Sequence, residues 1–95
     1  MGDEKMSRII IKRPTQEELK QLGIESWSPW QCAPSEFDWQ YSDQETAYVF
    51  KGLVIVTTAE GERVEIKAGD LVTFPRGLRC RWKVLETVEK VYRFG

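Results

Sequence analysis

The sequence predicts an all-β fold, a small barrel or sandwich carrying one short N-terminal helix. Three observations predict it. Beyond Ile24 the chain is a succession of short segments rich in β-branched and aromatic residues. Turn signals separate them at spacings of about ten residues or fewer, too close for helices between the strands. Helix start and stop signals coincide in one place only, between Thr15 and Gly23.

Taken in order, residues 1–7 read as a frayed terminus and residues 8–95 as a single domain. Arg8 to Lys12 holds three consecutive isoleucines and is ended by Pro14, which reads as an edge strand. Thr15-Gln16-Glu17-Glu18 has the pattern of a capping box, Leu19 and Leu22 share one face, and Gly23 supplies the stop. Strands are expected over Phe37–Tyr41, Thr46–Phe50, Leu53–Thr58, Arg63–Lys67, Leu71–Phe74, Leu78–Val84 and Lys90–Phe94. The turns between them are Ser42-Asp43, Lys51-Gly52, Glu60-Gly61, Gly69-Asp70 and Pro75-Arg76-Gly77. Trp27-Ser28-Pro29-Trp30 reads as a lid across the barrel mouth or a plug over its end.

Composition removes several function classes. The chain has 95 residues, enough for one small core. Fourteen Lys and Arg against fifteen Asp and Glu give a net charge of -1, so no nucleic acid is expected as a partner. There is no histidine, which excludes Ser-His-Asp and Cys-His catalysis. Two cysteines, Cys32 and Cys80, are too few for a Cys-only zinc site; they read as free packed thiols in a reducing compartment, with a disulfide between them as the alternative. No window approaches the length of a membrane span, and the charged start is unlike a secretory signal. A cytoplasmic protein without a membrane partner is the expectation.

Alternation assigns the faces. Leu78, Cys80, Trp82 and Val84 fall on one side of their strand, opposite Arg79, Arg81 and Lys83. Phe37, Trp39 and Tyr41 share a face in theirs. If Glu45, Ala47 and Val49 form an inner face, Glu45 is the carboxylate that looks into the barrel, while Tyr48 and Phe50 point to a second layer or a subunit interface.

The run from Gly69 to Cys80 is a glycine, five residues, Pro-x-Gly, two residues and Cys80. It resembles the second cupin motif, in which a ligand histidine stands where Cys80 does. Trp39-x-Tyr41-x3-Glu45-x6-Gly52 resembles the first motif, and the 16 residues from Gly52 to Gly69 suit the hairpin between the two. The chain is similar to small single-domain cupins of the ureidoglycine aminohydrolase cupin type. That resemblance implies a double-stranded β-helix, a jelly-roll barrel with its site inside. Members of the family bind Mn, Fe, Zn or Ni through three histidines and a glutamate. Here Trp39, Tyr41 and Cys80 stand at the histidine positions, and Trp cannot ligate. No metal or other cofactor is therefore expected.

The expected site is an aromatic-lined pocket of Trp39, Tyr41, Glu45, Cys80 and Trp82 that binds a small molecule. Each residue also has a structural reading: Glu45 as a buried carboxylate satisfied by its neighbours, the aromatics as core, and Cys80 as an inert thiol. Glu45 is the candidate acid or base in the alternative of an enzyme acting on a small nitrogenous or carbohydrate metabolite. A structural homodimer with a filled barrel is the third reading. Dimerisation is expected because the isoleucine strand is too apolar for a bare edge. Arg76, Arg79, Arg81 and Lys83 read as a solvated face or an anion-binding rim.

Overall fold

The computed structural model describes residues 8–95; the terminus read as frayed, residues 1–7, lies outside them. In chain order the elements are β1 (Ile10–Lys12), α1 (Gln16–Leu22), a 3-10 turn (Ile24–Ser26), β2 (Ser28–Cys32), β3 (Ser35–Gln40), β4 (Glu45–Thr58), β5 (Arg63–Lys67), β6 (Leu71–Phe74) and β7 (Arg79–Phe94). The capping box forms as the sequence requires. The Glu18 N–H donates to Thr15 Oγ1 at 3.1 Å and the Thr15 N–H to Glu18 Oε1 at 2.7 Å, while Gly23 closes the helix at φ 70°. Leu19 is its buried residue. Across an open cleft from α1 stand Tyr48 and Phe50, so these outward aromatics face the helix layer.

All strand pairs are antiparallel, and two long strands organise them. The first half of β4 pairs with β6, which in turn pairs with β1; the second half pairs with β5. The first half of β7 pairs with β3 and the second half with β2. Because β4 and β7 also pair with each other along nearly their whole lengths, two layers share these strands and enclose one core. This is the jelly-roll arrangement. Phe74, Ile66, Val54, Val56, Val72 and Val88 are the large apolar side chains buried most completely in it.

Three expectations are corrected. Thr46–Phe50 and Leu53–Thr58 are one strand, and so are Leu78–Val84 and Lys90–Phe94. Lys51-Gly52 is thus no turn. It is a bulge at which the β4–β7 register shifts, with Gly52 at φ 111°. The bulge flips the inward phase, from Glu45, Ala47 and Val49 to Val54, Val56 and Thr58. Trp27-Ser28-Pro29-Trp30 is no free lid, since Ser28–Cys32 pairs with Val88–Tyr92. Pro29 fits there because β2 is the outermost strand of its layer and needs no donor on its open side.

Candidate functional site

Four strands, β2, β3, β4 and β7, contribute side chains to one mouth of the barrel. There Trp30, Phe37, Trp39, Tyr41, Glu45, Trp82, Lys90, Tyr92 and Phe94 line a cavity of about 210 Å³. Its position follows from register. Glu45 opens β4 opposite Phe74 and Phe94, and Lys90 of β7 lies between Trp30 of β2 and Val49 of β4. Directly opposed residues put their side chains on the same face, so Glu45 and Lys90 both turn inward.

The two meet. Lys90 Nζ donates to Glu45 Oε2 at 2.7 Å, and both side chains are buried. Among the described residues this is the ammonium's one hydrogen bond, and aromatic rings supply the rest of its surroundings. Its Nζ lies 4.7 Å from the Trp30 ring centroid and 4.8 Å from that of Trp82, with Tyr92 at 5.7 Å and Phe74 at 5.8 Å. Ring faces attract a cation, by about 0.5–2 kcal/mol each. They do not replace water, and burial lowers the Lys90 amine below its ordinary value of 10.5 against the opposing pull of Glu45.

Four of the five residues expected from sequence share this cavity: Trp39, Tyr41, Glu45 and Trp82. Tyr41 is buried and stacks on Phe74, with centroids 4.7 Å apart. Burial pushes its phenol up, and the Glu45 charge adds to this, so it stays protonated. Trp39 has the expected inward face but stands at the rim, 52% exposed. Trp82 is buried, and its Nε1 lies close to the Tyr41 hydroxyl and the Cys80 thiol without making a well-formed hydrogen bond to either. Cys80 is buried beneath Trp39, its cross-strand partner, and does not line the cavity. Burial pushes its thiol up to about 11.

Lys90, Trp30, Phe37, Tyr92 and Phe94 are the lining residues that sequence reasoning did not place in the site. The signal was present in Val88, Lys90, Tyr92 and Phe94, a period-two apolar series interrupted by a lysine.

A larger, open depression of about 660 Å³ is lined by Asp38, Trp39, Arg79 and Arg81, and it is here, beside Trp39, that Cys80 contributes. Arg81 is matched on the surface. Arg81 donates to Glu36 and Asp38, each at 2.8 Å, and holds the Glu36 carboxyl below its usual range. These pairs favour the solvated-face reading of the arginine stripe.

The positions that hold metal in cupins do not fit one here. Trp39 offers no lone pair, Tyr41 and Cys80 keep their protons, and an ammonium already sits against Glu45. No cluster of three or more Cys, Asp or Glu suited to a metal exists among the described residues.

Comparison with known proteins places this architecture. The family model of the EutQ-like cupin domain matches residues 19–92. The chain is 52% identical to a DUF861 family protein from Thermotoga maritima, over 93% of this chain and 100% of that one, with a TM-score of 0.91. It shares its fold with the EutQ protein of Clostridium difficile at 22% identity, 88% and 66% coverage and a TM-score of 0.63. An acireductone dioxygenase from Bacillus anthracis, with a cadmium ion in its active centre, also shares the fold, at 18% identity, 98% and 54% coverage and a TM-score of 0.52. None of the curated proteins matches. No helix among the described residues is long and apolar enough to cross a membrane.

Proposed function

The chain belongs to the EutQ-like cupin domain family, and from that premise we propose that it binds a small organic molecule in the aromatic-lined barrel mouth, without a metal. The ligand combines a flat apolar part, which the rings of Trp30, Phe37 and Trp39 contact, with an oxygen that reaches Lys90. One observation carries the reading: a buried ion pair forms part of the wall of a cavity that is otherwise aromatic. A barrel evolved only to be filled gains more from apolar side chains of the same volume, because such pairs seldom repay their desolvation. Ligand sites are where apolar walls and a few converging polar groups occur together. The likeness to the ureidoglycine aminohydrolase type is taken as kinship of scaffold, and no reaction is carried over from it.

The test is a tryptophan-fluorescence titration with benzyl alcohol, a ring with one oxygen. Saturable quenching in the millimolar range, about -4 kcal/mol, is expected, and Trp82→Phe together with Lys90→Met should weaken it. A strictly linear, unsaturable response would show a filled barrel.

A further inference from the structure

We propose that Lys90 forms an imine with a small uncharged aldehyde or ketone admitted to the barrel-mouth cavity, with Glu45 moving the protons. The inference rests on the binding reading and adds a covalent step to it.

Lys90 is the buried lysine of the described chain; Lys12, Lys20, Lys51, Lys67 and Lys83 are exposed. Its side chain lines a cavity, and among the described residues its one hydrogen-bond partner is a carboxylate at 2.7 Å, close enough to take a proton directly. An amine in an apolar pocket beside a base is the arrangement that makes lysine a nucleophile toward carbonyl carbon. Burial, which lowers the amine's pKa, acts in the same direction. The walls select the carbonyl compound. Glu45 repels an anionic substrate and the remaining lining is aromatic, so the compound is uncharged. A volume of about 210 Å³ is below the ~300–1,000 Å³ of clefts for drug-sized ligands, so the compound is about the size of benzaldehyde.

The step balances within the pair. Glu45 takes a proton from the ammonium, and the freed lone pair on Nζ forms the N–C bond as the carbonyl π pair moves to oxygen. Glu45 returns its proton to that oxygen and takes a second from nitrogen, giving the neutral carbinolamine. Protonation of the hydroxyl by Glu45 then releases water as the C=N bond forms. Ammonium, carboxylate and carbonyl become iminium, carboxylate and water. The site begins and ends with one charge of each sign, and no oxidant or reductant is consumed.

The test is reductive trapping of the full chain with benzaldehyde and cyanoborohydride at neutral pH, followed by peptide mapping. The benzyl label is expected on Lys90 about tenfold faster than on Lys20 or Lys51, with a pH profile that rises at lower pH than theirs. Benzyl alcohol should slow labelling of Lys90 and leave Lys20 unaffected. Above the inflection of both proteins, Glu45→Gln should slow Lys90 labelling about tenfold, since the amide holds the geometry without accepting a proton. Faster labelling in that variant would remove Glu45 from the step. Labelling of Lys90 no faster than Lys20 overturns the imine. If benzyl alcohol still quenches tryptophan saturably in that case, binding stands alone; if it does not, both readings fall.

Discussion

Lys90 and Glu45, 45 positions apart in sequence, form a buried ion pair at 2.7 Å between the two strands that every other part of the sheet is built upon. The cupin motif that Glu45 resembles turns its glutamate to a metal; here the carboxylate faces an ammonium that the chain itself supplies. Pairing satisfies the charge, and the cost of desolvating both ends remains.

Breaking the pair from one side should therefore cost more than removing it. Lys90→Met leaves Glu45 buried without its cation, and a loss of about 3–5 kcal/mol is expected in urea unfolding. Glu45→Gln keeps an oxygen for the ammonium and should cost about 1–3 kcal/mol. The double variant Glu45→Gln/Lys90→Met should lose clearly less stability than the sum of the two single losses. Simple additivity would show that the two groups do not interact in solution.

The pair also sets a pH dependence. Burial lowers the Lys90 amine in the folded chain below its ordinary 10.5, so between those two values the unfolded chain binds more protons. Stability then rises with pH across that window. The penalty is full below the folded value and gone above 10.5. Measured as the difference between the parent and Lys90→Met, the rise should appear in urea titrations taken from neutral to alkaline pH; a flat difference would contradict the burial argument.

Much of this was legible in the sequence, and the gaps have a common physical source. The helix was fixed by Thr15, Glu18 and Gly23 because capping is local chemistry. The inward faces of Tyr41, Glu45, Cys80 and Trp82 followed from alternation within single strands. What failed was continuity. Reading Lys51-Gly52 as a turn hid the bulge, and treating Lys90–Phe94 as a separate strand lost the parity that Cys80, Trp82, Val84, Val88 and Lys90 share across an exposed Glu86. Had that parity been carried across Leu85–Glu89, Lys90 would have stood out as a charge on the inner face. Trp30 was hidden differently, since Pro29 disguises β2 and only pairing with β7 makes it a strand.

Cys80 and Cys32 should differ in reactivity. Cys80 is buried with its thiol raised from 9.0 to about 11, whereas Cys32 is partly exposed. Iodoacetamide at pH 8 should modify Cys32 first and reach Cys80 only on unfolding. The raised value has the opposite slope to that of Lys90. Its contribution is complete below pH 9.0 and lost as pH rises through about 11. Relative to a Cys80→Ala variant, the parent should lose about 2 kcal/mol over that range. Rapid alkylation of Cys80 in the folded protein would show that the barrel opens at its rim.

Gly52 should be the least replaceable position outside the site. Its φ of 111° is one that residues with a Cβ rarely adopt, and a Cβ built there would lie 2.5 Å from the Thr87 carbonyl oxygen and 2.7 Å from Val88 Cα. Both obstacles are backbone of β7, the strand that carries Lys90, so neither can move aside as a side chain would. Strain and overlap together predict a loss of about 2–5 kcal/mol for Gly52→Ala. Gly61→Ala has a comparable φ of 96° but open space around it, and should cost about 1–2 kcal/mol, from strain alone. The bulge at Gly52 exchanges one inward phase of β4 for the other. Any Gly52→Ala protein that still folds should therefore move β7 against β4 and disturb the Lys90–Glu45 contact, which chemical-shift changes at Lys90 and Trp82 would report. Equal losses in the two variants, with no shift at Lys90, would show that the close approach at Thr87 does not constrain the site.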